Sequence, residues 1–318
     1  MTGAGGFVGV NLCRELAAAG AEVHGTVRPG GSAWRLDALG QTGTRVRPVE
    51  LTDAGAVRRL VAEVRPEVVF HAAARSAYDR DAALGAAAAD AVLTLAHLLD
   101  ALAGRPLRRF VLLGSSLVYG AGDAPHREDE PLAPATRRGA AKAAASLLAL
   151  QHARETGFPL VEARLFSLYG PWEPLHRLIP RAIRAALLGE ELPLTEPGLR
   201  RDPVFVDDAV EACLAAAEAP GVAGRAINVG SGREVANEEL VRAVAEVTGR
   251  PVRTLAGAFP ARASDRPHWA ADTTLARELL SWRPRHSLRE GLARTVPWVE
   301  ERLEEGLGEG RAGGDAAG

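Results

Sequence analysis

Apolar positions along this chain follow two rhythms. Residues 6–19, 54–64, 84–102 and 139–156 repeat at helical spacing, whereas 21–27, 67–71, 109–113 and 159–165 are short extended apolar runs. Short apolar runs separated by helices predict a parallel sheet covered on both faces, the doubly wound, Rossmann-like α/β pattern. After Gly170 the texture changes: proline is frequent, and helices alternate with short extended pieces such as 203–206 and 225–229. That segment predicts a smaller C-terminal substrate lobe over the carboxyl ends of the strands, where open α/β sheets bind ligands. The expected division is a dinucleotide-binding domain over 1–165, a substrate-binding lobe over 166–305 and a disordered glycine-rich tail over 306–318.

Charge and cysteine content narrow the classes of function. The 318 residues carry a formal net charge of −2 with basic residues scattered, so neither nucleic acid nor an anionic membrane surface is an expected partner. The apolar stretch 84–103 is interrupted by Asp90, His97 and Asp100, which suits a buried helix rather than a membrane span. Cys13 and Cys213 form no metal spacing and no disulfide framework, and the histidines lack ligand spacing. No metal site is expected, and a cytoplasmic setting is.

The chemistry begins with T-G-A-G-G-F-V-G over residues 2–9. Gly3 permits a tight turn, Gly6 lets backbone approach a pyrophosphate, Gly9 allows close helix packing, and the helix N-terminus receives negative charge. Such a loop should follow a strand, yet only Met1 precedes it. That first strand, apparently missing, would lie mid-sheet between two neighbours that need its ladder. The expectation is therefore a true start upstream, with Met1 an internal start codon. The second strand leads into Arg28 with no carboxylate nearby, a guanidinium suited to a 2′-phosphate; this favours NADP over NAD, the alternative being a surface arginine. Glu50, Leu51 and Asp53 either flank the adenine or lead into the next helix as its cap.

With these residues in place, the chain resembles the extended short-chain dehydrogenase/reductase family, the NAD-dependent, nucleotide-sugar-modifying epimerases, dehydratases and ketoreductases. The resemblance runs from Thr2 to about Trp298. It rests on the glycine loop, H-A-A-A at 71–74, G-S-S-L-V-Y-G at 114–120, L-Y-G-P at 168–171, R-R-D-P-V-F-V-D-D at 200–208, I-N-V-G-S-G at 227–232 and S-W-R-P at 281–284. It implies a cofactor site made by Gly3, Gly5, Gly6, Phe7, Val8, Gly9, Arg28, Glu50, Leu51, Ala72, Ala73 and Lys142. The family's chemistry uses Ser or Thr, Tyr and Lys: tyrosine exchanges the proton, lysine lowers its pKa and holds the nicotinamide ribose, and serine hydrogen-bonds the reacting oxygen. Ser115 matches the serine and Lys142 the lysine, but Arg138 stands where the tyrosine should.

Lysine and arginine total 38, and Lys142 is the only lysine. In so arginine-rich a chain, its survival points to a retained nicotinamide site. The three tyrosines are Tyr78, Tyr119 and Tyr169; the last two belong to other family motifs, and Tyr78 lies in the loop after H-A-A-A. Arginine cannot carry the proton, because its pKa stays above about 12, but its fork can stabilise an alkoxide or enolate or hold an anionic substrate group. Arg138 is thus either an electrostatic group in altered chemistry or a residue facing solvent in a decayed site.

Other departures and matches bear on the substrate. Sugar 4,6-dehydratases follow their serine or threonine with acidic residues; Ser116 and Leu117 stand here, so dehydration lacks its acid and base. Ser167 and Asp90 each replace a usual asparagine. Arg201 and Arg262, with Asp265, match the family's arginines on a nucleotide diphosphate, while Trp172 and His176 either face a sugar or pack. Family members pair through helices matching 84–102 and 139–156, so a homodimer is expected. The resemblance implies an NAD(P)-dependent epimerase or 4-ketoreductase on a nucleotide-diphosphate sugar. The other class left open is a catalytically inactive protein that binds a dinucleotide or nucleotide sugar.

Overall fold

The computed structural model describes residues 1–40, 43–74, 84–260 and 268–306. The first part of the chain forms α1 (Phe7–Ala18), β1 (His24–Val27), α2 (Trp34–Ala38), β2 (Arg45–Pro48), α3 (Ala54–Val64) and β3 (Val68–His71). Then come α4 (Leu84–Ala88), α5 (Thr94–Leu102), β4 (Arg109–Leu113), α6 (Arg137–Thr156) and β5 (Leu160–Leu165). The second part comprises β6 (Ser167–Tyr169), α7 (Leu178–Leu188), β7 (Glu191–Thr195), β8 (Arg200–Arg201), β9 (Pro203–Phe205) and α8 (Val206–Glu218). It ends with β10 (Arg225–Val229), β11 (Val235–Ala236), α9 (Asn237–Thr248), β12 (Arg253–Phe259), α10 (Thr274–Leu280) and α11 (Leu288–Glu304).

The expected Rossmann-like sheet is present. Parallel strands run in the order β10–β5–β4–β3, with β1 and β2 paired in parallel beyond β3. Met1 and Thr2 lie between β3 and β1: Thr2 N donates to Phe70 O at 2.9 Å, Thr26 N to Met1 O at 2.8 Å, and Ala4 N to Thr26 O at 3.0 Å. The Met1 amine donates to His24 O at 2.9 Å. Desolvation lowers its pKa, against a smaller opposing effect of Cys13.

Strand parity divides the core, because successive side chains leave a strand on opposite faces. Val111, Leu113, Val161 and Ala163 pack with Leu12 of α1 and with Ala209, Val210 and Cys213 of α8. Phe110, Leu112 and Leu160 face the other way, onto Val57 and Val61 of α3, Leu98 and Leu99 of α5 and Ala149 of α6. The same parity aims Glu162 and Arg164 of β5 at α6, so this face of the sheet carries charge among apolar neighbours.

Two features refine the sequence reading. The expected helix 84–102 contains a π turn, Ala89–Leu93, between α4 and α5; Thr94 Oγ1 donates to Asp90 O there at 2.7 Å. The chain beyond residue 165 also returns to the main sheet, adding β10 beside β5 and packing α8 on β4 and β5. The remaining strands form small pairs, β6 with β9, β7 with β12 and β8 with β11.

Candidate functional site

The glycine loop sits at the carboxyl end of the sheet, where its conformation follows from space. Gly3 has φ +67°, and a Cβ there would stand 2.7 Å from Ala73 N; one at Gly9 would stand 2.1 Å from Gly3 O. Glycine alone closes the loop against both Ala72–Ala73 and the start of α1. Gly5 lies close to Ser32, where a Cβ would come within 3.0 Å of its carbonyl oxygen. Gly6 caps α1 with no side-chain hydrogen bond, and Phe7 and Val8 make the first turn, so the orphan amides there remain for a bound anion. This backbone cradle fits a dinucleotide pyrophosphate.

A buried side chain that the sequence reading missed braces the loop. Arg35 donates from Nε to Trp172 O at 3.0 Å and from Nη1 to Gly5 O at 3.4 Å. Asn11 adds a bond from Nδ2 to Pro171 O at 3.1 Å. Trp172, at φ +73°, is buried between Trp34 and Trp298 with ring centroids 6.0 and 6.2 Å away, which makes it a packing residue. His176 is exposed.

The adenine end is more open. Arg28 lies 3.9 Å from Asp90, so part of its charge is met within the protein. Glu50 accepts from Thr52 N and Oγ1 at 3.0 and 2.7 Å, and buried Leu51 receives His97 Nδ1 on its carbonyl oxygen at 3.0 Å. Asp53 caps α3 by accepting from Gly55 N and Ala56 N, which settles its role as a cap.

The second half of the site is built where β4 ends and α6 begins. Thr136 caps α6 by accepting from Gly139 N at 3.0 Å. A Cβ on Gly139 would stand 2.4 Å from Leu117 O, so glycine lets the helix reach the Ser115–Val118 turn. Ser115 Oγ accepts from Leu117 N at 3.2 Å, and buried Ser116 is engaged by Trp269 Nε1, also at 3.2 Å. Lys142, four residues after Arg138 and so on the same helix face, donates from Nζ to Leu113 O at 3.3 Å. The stem of Lys142 is half-buried while its amine is closely surrounded by protein. Burial, followed by the Arg138 charge and opposed in part by Glu162, lowers its pKa to about 8. Arg138 is itself half-buried with Nη1 shut off from solvent, so it does not face outward.

Glu162 and Arg164 were also missed, although two charges in the run L-V-E-A-R-L were a signal. Their ion pair spans 3.1 Å and is almost fully buried. Ser146 of α6 donates to Glu162 at 2.6 Å, and Arg164 donates to Tyr119 Oη at 2.9 Å. A Cβ on Gly114 would stand 2.4 Å from Glu162 Oε1, so that glycine makes room for the carboxylate beside Ser115. His71 closes the group: Thr2 Oγ1 lies 2.7 Å from its Nδ1, and burial, followed by the Lys142 charge, pushes its pKa down to about 3.

On the substrate side, Ser167 pairs with Pro203 and donates its backbone N–H to Asp202 O at 3.1 Å. Arg201 pairs with Val235 and donates from Nη1 to Arg200 O at 2.7 Å. Arg262, Asp265 and Tyr78 lie outside the described residues. Among the described residues no group of three potential metal ligands occurs, and no helix is long and apolar enough to cross a membrane.

A glycine cradle at the end of a doubly wound sheet, with serine and lysine beside it, defines a nicotinamide-dinucleotide-binding class of Rossmann-like proteins. The chain belongs to the NAD dependent epimerase/dehydratase family, whose match covers residues 1–230. It is 32% identical to a dTDP-glucose 4,6-dehydratase of Streptomyces griseus, over 95% of this chain and 93% of the relative. Its fold is similar to that of the UDP-glucose 4-epimerase of Thermotoga maritima solved with UDP-glucose, with 26% identity, TM-score 0.86 and coverage of 95% and 98%. It is also similar to MoeE5 in complex with UDP-glucose and NAD, with 30% identity, TM-score 0.83 and coverage of 95% and 98%. The preference for NADP expected from Arg28 finds no support in these matches.

Proposed function

We propose that this protein is an NAD(P)-dependent epimerase or 4-ketoreductase acting on a nucleotide-diphosphate sugar, with Arg138 in place of the proton-carrying tyrosine. The observation that carries the reading is the Ser115–Lys142–Arg138 grouping, with the Arg138 guanidinium turned inward and its charge felt at Lys142. An arginine left facing solvent in a decayed site would not have Nη1 shut off from water. The similarity to enzymes of UDP-glucose and dTDP-glucose supports the substrate class. Dehydration is disfavoured, because Ser116 and Leu117 occupy the positions of the eliminating acid and base, and Ser116 is held by Trp269.

In this reading residues 1–165 chiefly bind the dinucleotide and residues 166–305 chiefly bind the sugar nucleotide. The glycine loop and Ala72–Ala73 hold the pyrophosphate end, and Lys142 holds the nicotinamide ribose. When bound, the dinucleotide supplies the hydride acceptor or donor. Ser115 polarises the reacting oxygen, and Arg201 contacts the diphosphate together with Arg262 and Asp265. A homodimer through the π turn, α5 and α6 is supported by the exposed Leu93 of that turn and the exposed Leu147 and Leu148 of α6. The enclosed free thiols Cys13 and Cys213 accord with a reducing cytoplasm.

The test is a titration with NADH and NADPH followed by turnover assays on UDP-glucose and dTDP-glucose. Saturable binding and turnover lost on Ser115→Ala support the reading. Binding without turnover at any pH transfers the protein to the inactive, ligand-binding class. No binding of either dinucleotide by the folded chain removes redox chemistry altogether.

A further inference from the structure

The tyrosine's replacement leaves the proton of the sugar hydroxyl without its usual carrier, and the described residues restrict what can take it. Tyr119 is buried with its hydroxyl donating to Asn228 Oδ1 at 2.7 Å, and Tyr169 donates to Leu288 O at 3.3 Å. Burial raises the pKa of both phenols. His71 is buried beneath the glycine loop beside Thr2, and its depressed pKa keeps it neutral. Arg138 stays charged at every working pH. Lys142 remains: its amine rests on Leu113 O, two residues before Ser115, with the Glu162 carboxylate against the intervening Gly114.

We propose that Lys142 is the proton carrier of the sugar redox step, and that Arg138 is the positioning charge that keeps its amine available in the neutral form. The inference rests on the nucleotide-sugar reading above. In the oxidative direction a nicotinamide dinucleotide is the oxidant and accepts the hydride from the sugar carbon. The O–H bond breaks, its electron pair forms the carbonyl π bond, and the proton moves to the lone pair of Lys142 Nζ, giving an ammonium. In the reductive direction the ammonium returns that proton to the nascent alkoxide, while the Ser115 hydroxyl stabilises the oxygen.

The electrostatic surroundings permit this role. Among the described residues, the charged or titratable groups acting on the amine are Arg138 from α6, Glu162 from β5 and His71 from β3. Burial and Arg138 both disfavour the ammonium, and Glu162 only partly offsets them. With a pKa of about 8, roughly a tenth of the amine is neutral at pH 7, about 200-fold more than for an ordinary lysine. A carrier titrating near working pH is the favourable case for general acid–base catalysis.

Because Lys142 is the only lysine, protein labelled with 13C,15N-lysine gives one side-chain signal, and its titration reads this amine alone. The expected midpoint is near pH 8. In Arg138→Gln the midpoint moves up by about one unit, since a repelling charge is gone. Turnover of UDP-glucose or dTDP-glucose should rise through the same midpoint in wild type, and its profile should move with the amine in Arg138→Gln. Lys142→Arg, which keeps a cation, should lower turnover by about 100- to 10,000-fold. Tyr78→Phe should leave it unchanged.

Turnover accompanied by an amine midpoint at the ordinary value overturns the proposal, as does full activity in Lys142→Arg. A comparable loss in Tyr78→Phe hands the proton to that residue instead. Absence of turnover in wild type on either sugar nucleotide sinks the functional reading, and the carrier role with it. The two failures are therefore distinct.

Discussion

The glycine loop and the start of α6 lie at the same end of the sheet but are built from different materials. The loop is held by backbone: Gly3 and Gly9 fit where no Cβ can, and Arg35 and Asn11 donate to the carbonyl oxygens of Gly5, Pro171 and Trp172. The α6 site is held by side-chain charge, with Arg138, Lys142, Glu162 and Arg164 gathered around Gly114 and Ser115. A backbone cradle tolerates no change of shape, yet any chain that forms it binds the same group. A cluster of charges keeps its shape when one member is exchanged, while its chemistry changes. That difference explains how a chain can match its family along most of its length and still depart at the residue that moves a proton.

The largest expected effect is on the charged side. Glu162→Ala leaves Arg164 buried without its carboxylate partner and should cost about 3–5 kcal/mol in urea unfolding. A loss below about 1 kcal/mol would mean that Tyr119, Ser146 and the Glu128 carbonyl oxygen satisfy Arg164 unaided.

The next test concerns the one buried charge in the loop that braces the glycine cradle. Glu173 is 2% exposed; Oε1 lies 3.0 Å from Arg177 Nε, while Oε2 has no hydrogen-bond partner among the described residues. Burial raises its pKa to about 7, and Arg177 opposes. The folded state therefore binds the extra proton between the ordinary value of 4.5 and about 7. Its stabilising effect is complete below about 4.5 and fades as pH rises through 7, by about 3 kcal/mol in all. Glu173→Gln should remove that slope, so the stability difference between variant and wild type should grow by this amount from pH 4.5 to 7.5. Parallel pH curves would sink the assignment.

On the backbone side, Gly9→Ala should cost about 1–3 kcal/mol and abolish dinucleotide binding, because its Cβ meets the immovable oxygen of Gly3. Unchanged binding in this variant would show that the loop can shift without losing its grip, erasing the contrast between the two regions.

Legibility in the sequence divides along the same line. Helix 54–64 and strands 109–113 and 225–229 fall where their apolar patterns place them, since each buries a continuous face. Glycine spacing identified the cradle because only backbone geometry requires glycines there. The π turn around Asp90 was not legible: nothing in local propensity distinguishes it from α-helix. Nor was the inward turn of Arg138, which depends on what β5 places opposite α6. The pair Glu162 and Arg164 was written plainly in an apolar strand, but only the sheet's parity shows that it faces α6, where the lysine stands.

The smallest expected effect belongs to Arg28, where the two kinds of construction meet. It follows β1, 37% exposed, with its fork 3.9 Å from Asp90. Exposed pairs of this kind contribute at most about 1 kcal/mol, so Arg28→Ala should scarcely change unfolding. Its consequence should appear in cofactor choice. A guanidinium that meets a 2′-phosphate contributes a charge-assisted hydrogen bond, weakened here by exposure and by Asp90. NADPH affinity should then fall about tenfold while NADH affinity holds. Asp90→Asn should shift the ratio the other way by a few-fold, because it removes a carboxylate that repels the phosphate. Equal weakening of both dinucleotides in Arg28→Ala would show that the residue serves the shape of the adenine end, and that the site does not distinguish the two cofactors by this charge.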